Sequence, residues 1–321
     1  MAGTFLWLLP RIVMAEDVIQ IGLFNKDPAI IAADAKGFFN KESIRIQIDT
    51  VTDSPTLLRN LISGKYDLII NNADNVIAWA EGQGEDPQKN DFIIFLGGNR
   101  GVNQKLIVGP GIDGYGDLKG TIFAVDAPTT GYAIVGVYIL KKHGLELNKD
   151  YTFKAFGNTT KRAEAMSRGE ASAAMMSLAD DEIQKRGFKV LAKAEDYVQH
   201  YARGLGATRR DWANKNEDLL VRFIRAMIRA TDWVTEPNHK DEVIAMLMPE
   251  NRNNKARAEA IYQESVSPRF GFSHRSQIDI DGIQSVLQLR EIAGLMKPPL
   301  PKPEKYIEER FYEKAVASLN Q

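Results

Sequence analysis

Residues 117–137 read DLKGTIFAVDAPTTGYAIVGV, and this stretch decides the fold. The β-rich run Thr121 to Val125 leads into a short polar turn, Asp126 to Thr130, and then into an apolar segment with helical periodicity. It is a strand, a loop and a helix start. The first N–H groups of a helix have no partner inside the helix. Thr129, Thr130 and Gly131 are therefore predicted to present them, with two hydroxyls, to whatever lies above the strand end. With Asp126 at its edge, this turn reads as half of a ligand site.

The same unit recurs toward the N-terminus. VIQIGLF at 18–24 reads as a strand, and Asn25-Lys26-Asp27-Pro28 follows, with Asp27 as helix N-cap and Pro28 at the first helical position. IRIQI at 44–48 alternates as a second strand, and the helix opened by Ser54-Pro55 carries Leu57, Leu58, Leu61 and Ile62 on one face. YDLII at 66–70 is a third strand that ends in the polar cluster Asn71-Asn72-Ala73-Asp74-Asn75. FIIFL at 92–96 is a fourth, ending in Gly97-Gly98-Asn99, and QKLIV at 104–108 a fifth.

Strands alternating with helices predict an α/β protein with mainly parallel sheets flanked by helices. In such sheets ligands bind outside the carboxyl ends of the strands, so Asn25, Asn72, Asp74 and Asn99 are expected on one rim. Asn71 and Asn75 read as turn or cap residues, and Trp79 and Tyr132 as core. In the second half ASAAMM at 171–176 is a buried strand with Ser177 on the rim, and YARGLGAT at 201–208 an extended return to the first lobe. From Trp212 onward helices alone are predicted, an all-helical C-terminal tail around the α/β body. Residues 109–114, GPGIDG, have the spacing of the dinucleotide fingerprint but run into another strand instead of opening a helix, so they read as a surface turn.

Composition narrows the chemistry. A chain of 321 residues with 44% hydrophobic content can build two packed lobes. Lys+Arg 41 against Asp+Glu 42 leaves no electrostatic footprint for nucleic acid, so DNA and RNA are not expected partners. The absence of cysteine excludes thiol nucleophiles, disulfides and thiolate metal sites. No nucleophile-elbow, zinc-protease, EF-hand or phosphate-loop pattern occurs, and His143, His200, His239 and His274 are far apart. No catalytic residue, metal or cofactor is therefore expected. Residues 2–9, AGTFLWLL, followed by Val13-Met14-Ala15, read as the remnant of a secretory signal over residues 1–15, which places the protein in the periplasm.

Five stretches, AKGFFNKESIRIQI at 35–48, LISGKYDLIINNAD at 61–74, DLKGTIFAV at 117–125, ILKKHGLELNKDY at 139–151 and RGEASAAMM at 168–176, resemble a known family. It is that of the type II periplasmic solute-binding proteins of ABC importers, in the group of nitrate, sulfonate, taurine and pyrimidine-precursor binders. The resemblance implies two α/β lobes joined by crossing strands near Lys105 to Val108 and Gly204 to Thr208. Lobe one would hold residues 16–108 and 209–321, lobe two residues 109–208, with the ligand between them. It further implies that Thr129, Thr130 and Gly131 hold an anion, and that Asn25 and Asn72 to Asp74 approach from the other lobe.

The implied function is that of a monomer that captures a small anionic, zwitterionic or nitrogen-heterocyclic solute and delivers it to an ABC permease in the inner membrane. If Asp74 faces the cleft, it favours a solute that also carries an amine-like donor. Two other readings share the fold: a cytoplasmic enzyme, of dehydratase or pyrimidine-synthase type, and a ligand-sensing module. The pyrimidine synthase depends on a cysteine-rich motif, and this chain has no cysteine.

Overall fold

The structure is a computed structural model that describes residues 16–319; the signal remnant expected over residues 1–15 lies outside the described residues. The first lobe starts with β1 (Asp17–Leu23), α1 (Pro28–Ala35), α2 (Phe38–Lys41) and β2 (Ile44–Thr50). It continues with α3 (Ser54–Ile62), β3 (Leu68–Asn71), α4 (Ala73–Ala80) and β4 (Phe92–Leu96). Local chemistry sets the helix starts. Asp27 accepts from the Ile30 N–H at 2.8 Å with Pro28 behind it, and Asp53 caps α3 in the same way through Thr56.

The second lobe contains β5 (Lys105–Val108), β6 (Thr121–Val125), α5 (Gly131–Lys142), β7 (Tyr151–Ala155) and α6 (Thr159–Ser167). It closes with β8 (Ala173–Met176), α7 (Asp180–Lys185) and β9 (Lys189–Lys193). After the return strand β10 (Leu205–Arg209) come α8 (Arg210–Lys215), α9 (Glu217–Thr235), α10 (Lys240–Glu250), α11 (Lys255–Ser265), α12 (Ile280–Ile292) and α13 (Arg310–Leu319).

Two five-stranded sheets result, in the orders β2-β1-β3-β10-β4 and β7-β6-β8-β5-β9. Each is parallel except for one reversed strand, β10 in the first and β5 in the second. The reversed strand is in each case the one that has just arrived from the other lobe. The sequence reading placed Lys105 to Val108 with lobe one and Gly204 to Thr208 with lobe two. Sheet pairing does the opposite: β5 is hydrogen-bonded throughout to β8 and β9, and β10 to β3 and β4. A strand of four or five residues carries no mark of which sheet it will join, since either offers it a buried slot.

The chain therefore passes between the sheets at 97–104 and 194–204, and these two segments touch. The Asn99 N–H donates to the Arg203 carbonyl at 2.8 Å and the Arg203 N–H returns to Asn99 at 3.1 Å. A Cβ on Gly98 would sit 2.0 Å from the Gly204 carbonyl oxygen, and Gly204 itself has φ +60°, so both positions require glycine.

The C-terminal tail fastens this arrangement. The long amphipathic α9 buries Leu220, Phe223, Ile224, Met227 and Ile228 against lobe one, with Phe223 stacked on Phe39 at 5.6 Å between ring centroids. Helix α12 packs on both α4 and α5, one from each lobe. A continuous apolar cluster runs from Leu57, Val76 and Ile77 through Tyr201 to Ala133, Ile134 and Val286, so the lobes are held shut in this structure.

Candidate functional site in the seam between the lobes

Three helix starts meet where the lobes touch: α3 and α4 from lobe one and α5 from lobe two. A chain of side-chain hydrogen bonds crosses the seam. The Asn72 N–H donates to Asn71 Oδ1 at 2.8 Å, which fixes the orientation of the Asn71 amide. Asn75 Nδ2 donates to the same Oδ1 at 3.0 Å and to Ser54 Oγ at 3.0 Å. With that lone pair occupied, the Ser54 hydroxyl donates across the seam to Asp126 Oδ2, which also accepts from the Ser54 N–H at 3.3 Å.

A second crossing is built on Asp74, which is 1% exposed. Its Oδ1 accepts from the Tyr201 hydroxyl at 2.7 Å, and the carboxyl presses on Gly131, where a Cβ would lie 2.1 Å from its Cγ. Gly131 is thus the only kind of residue that lets α5 come this close. Tyr132, the next residue, stacks on Tyr201 at 6.2 Å. Arg290, 0% exposed on α12, reaches into the seam, but its Nη1 goes to the carbonyls of Asp74 at 3.4 Å and Thr129 at 3.3 Å, and its Nη2 to Gln83 Oε1. The guanidinium therefore ties α4 to the turn before α5 instead of neutralising the carboxylate directly.

Electrostatics follow from burial. Desolvation pushes Asp74 up to about 6, against the opposing pull of Arg290 and the Tyr201 hydroxyl. Burial raises Asp126 as well, opposed by its hydrogen bonds from Ser54 and by Arg162, and it holds the Tyr201 and Tyr132 hydroxyls above their ordinary range. Arg162 is buried beneath Asp126, with Nη1 on the Gly157 carbonyl at 2.6 Å and Nη2 on the Met175 carbonyl and Thr159 Oγ1, both at 3.2 Å.

Among the described residues, nine buried side-chain atoms have no hydrogen-bond partner, and five of them, Asn71 Nδ2, Asp74 Oδ2, Asn75 Oδ1, Asp126 Oδ1 and Arg290 Nε, gather at this seam. Native interiors leave few such groups, so their concentration here marks the place where the protein is chemically incomplete.

The residues expected from sequence divide into two sets. Asn72, Asp74, Asp126, Thr129, Thr130 and Gly131 come together at the seam. Asn72 joins it to the crossing segment, its Oδ1 accepting from the Gly204 N–H at 3.2 Å. Thr129 contributes a carbonyl, and the Thr130 hydroxyl turns back to donate to the Ala127 carbonyl at 2.8 Å instead of lying over the α5 N-terminus. Asn25 and Ser177 lie exposed in the loops after β1 and β8. Asn99 is drawn into the crossing, its side-chain amide donating to the Phe270 carbonyl at 3.5 Å.

Sequence reasoning did not single out Ser54, Tyr201, Arg162 or Arg290, and it read Asn71, Asn75 and Tyr132 as structural. One signal was there for Arg290: it stands alone as a cation on a helix face otherwise made of Ile283, Val286, Leu287 and Leu289. Among the described residues no group of three or more His, Cys, Asp or Glu side chains is placed to hold a metal ion, and no helix is long and apolar enough to cross a membrane.

Residues 20–248 match the model of the NMT1-like family. YtlA of Bacillus subtilis (strain 168), a provisionally assigned binding protein, is 22% identical over 216 residues; the match covers 66% of this chain and 64% of YtlA. Among solved structures, a Bordetella bronchiseptica RB50 protein superposes with a TM-score of 0.76 at 18% identity, over 96% of this chain and 99% of the other. The periplasmic nitrate-binding protein NrtA of Synechocystis PCC 6803 gives 0.74 at 13%, over 95% and 89%. The alkanesulfonate-binding protein SsuA of Xanthomonas axonopodis pv. citri, solved with MOPS bound, gives 0.69 at 18%, over 92% and 100%. At these identities the likeness to the solved structures is one of fold, the two-lobed periplasmic-binding-protein fold.

Proposed function

The chain belongs to the NMT1-like family, and from that premise we propose that it is the extracytoplasmic solute-binding subunit of an ABC importer. It captures a small polar solute between its lobes in the periplasm, as a monomer, and hands it to a permease in the inner membrane. The observation that carries this reading is the seam itself: polar side chains from both lobes meet in the hydrogen-bond chain ending at Ser54 and Asp126, and partnerless polar atoms collect around it. A solute that bridges the two lobes favours closure only to the extent that it binds the closed form better than the open one. The two crossing segments at 97–104 and 194–204 act as the hinge, with Gly98 and Gly204 absorbing the change in backbone angles.

A thermal-shift screen over nitrate, sulfonates, taurine, pyrimidines and aromatic carboxylates tests the reading. A true ligand at a hundred times its dissociation constant stabilises by about 2.7 kcal/mol, and small-angle scattering should show compaction on its addition. Stabilisation without compaction would count against an interlobe site. The enzyme reading draws on one observation, the Asp74 carboxyl raised to about 6 beside a tyrosine hydroxyl. Chemical conversion of the solute that binds would establish it in place of transport.

A further inference from the structure

We infer that the solute held in this seam presents hydrogen-bond donors, as an amine, amidine or amino-heterocycle does, and that its reactive contacts are Asp74, Asp126 and Asn75 rather than an anion site at the start of α5. The inference rests on reading the seam as the solute site and narrows its chemistry.

The argument begins with what the buried atoms lack. Asn71 and Asn75 are each 5% exposed and Asp74 1%, so none can turn to solvent in the closed form. The network assigns their orientation: the Asn72 N–H requires an oxygen from Asn71, and Asn75 must then offer that oxygen its amide hydrogens. What remains unpartnered is set by this. Asp74 Oδ2, Asp126 Oδ1 and Asn75 Oδ1 are three acceptors, two of them carboxylate oxygens, and Asn71 Nδ2 and Arg290 Nε are two donors. A complementary solute carries mainly N–H or O–H groups, with an acceptor for Asn71 and one for Arg290.

The guanidinium Nη atoms that would grip an oxyanion in a fork are already engaged, and of Arg162 and Arg290 only the latter keeps a single buried N–H without a partner, at Nε. Arg162 gives its Nη atoms to the Gly157 and Met175 carbonyls and to Thr159, and Arg290 gives its own to the Asp74 and Thr129 carbonyls and to Gln83. Neither presents the open fork with which arginine grips a carboxylate, sulfonate or nitrate. The positive end of α5 already faces a negative group, since the Asp74 carboxyl lies against Gly131, and the Thr130 hydroxyl points back into its own turn. An added anion would meet two carboxylates, Asp74 and Asp126, in a buried setting. A cationic or donor-rich solute would instead supply the partners that both carboxylates lack, and would offset the desolvation that raises both above the ordinary aspartate range.

The test uses the full chain and four probes: acetamidine and 4-aminopyrimidine as donor-rich solutes, nitrate and ethanesulfonate as oxyanions. Melting temperature and titration calorimetry are read for the wild type, Asp126→Asn and Asp74→Asn, with circular dichroism to confirm that each variant is folded. The inference predicts stabilisation of the wild type by at least one donor-rich probe and by neither oxyanion. It also predicts an affinity about tenfold weaker in Asp126→Asn, the effect of losing a charged acceptor. Should Asp74→Asn fail to fold, Asp126→Asn carries the test alone. Binding of nitrate or ethanesulfonate that is unaffected by Asp126→Asn would overturn the ligand class and leave the solute-binding reading standing. Donor-rich probes that bind the wild type and both variants alike would overturn the assignment of these carboxylates. Stabilisation by none of the four would remove this inference, and a failed compaction experiment beside it would remove the solute-binding reading too.

Discussion

Glu42 and Asp74 are both buried carboxylates in lobe one, 6% and 1% exposed, and the protein treats them in opposite ways. Glu42 accepts from Arg225 Nε at 3.1 and 3.0 Å on its two oxygens, again from Arg225 Nη2, and from Arg229 Nη1. Burial alone would push its pKa up, but the two guanidinium groups outweigh burial and hold it below the usual carboxylate range. Asp74 also has a buried arginine in its neighbourhood, yet Arg290 turns to backbone carbonyls, and one carboxylate oxygen stays without a partner. Burial then wins, and Asp74 rises to about 6. The first arrangement fastens α9 to the base of β2 and asks nothing more of the charge. The second leaves a charged group short of partners between two lobes, which costs stability and is useful only where something else completes it.

Four experiments break or sharpen this contrast. The largest effect is expected from Glu42→Gln, which leaves Arg225 and Arg229 facing an amide. Because both arginines retain some exposure, the loss belongs at the low end for a broken buried pair, about 3 kcal/mol in denaturant unfolding, with solute affinity unchanged. A parallel loss of affinity would show that the two carboxylates are not separate in function.

The pH dependence of the unliganded protein comes next. The folded value of Asp74, about 6, lies above its ordinary value of 3.8, so folding favours the protonated acid. The corresponding stability is fully present below the unfolded value and is lost as pH rises through the folded one, up to roughly 3 kcal/mol by neutral pH. Asp27, raised by burial to about 6 at the N-cap of α1, acts in the same direction. Melting temperature should therefore fall between about pH 4 and pH 6.5 and level off above, and fall less in Asp74→Asn; an identical slope in the variant would mean that Asp74 is not the group titrating.

Gly131→Ala places a methyl group about 2 Å from the Tyr201 hydroxyl and the Asp74 carboxyl, an overpacking worth roughly 1–3 kcal/mol. Because the lobes can part to relieve it, the effect should appear as weaker solute binding with a nearly unchanged unliganded melting temperature. The smallest change is expected for Tyr201→Phe. It removes one donor from Asp74 and should weaken the closed form by about 1 kcal/mol while raising the pH at which Asp74 titrates; a lowered midpoint would contradict the assigned hydrogen bond.

The fold was legible where its signals are local. Asp27-Pro28, the alternation of 44–48 and the polar turns after Val125 and Ile70 name a strand or a helix start within a few residues. The partners of β5 and β10 were not legible, because strands this short fit either sheet. The site divides in the same way. Asp74, Asp126 and Gly131 belong to polar turns after strands and could be picked out, whereas Tyr201 and Arg290 reach Asp74 from 127 and 216 residues away along the chain. The strand-end rule gives the rim of a sheet but not how buried a side chain there will be: Asn25 and Ser177 are exposed where Asp74 is buried.

The contrast between the two carboxylates is tested most directly by titration calorimetry of the wild type, Asp74→Asn and Glu42→Gln against whichever donor-rich probe stabilises the wild type most. The account predicts that Asp74→Asn weakens binding about tenfold and that Glu42→Gln, though less stable, binds as the wild type does. Equal weakening in both, or loss in Glu42→Gln alone, would contradict it.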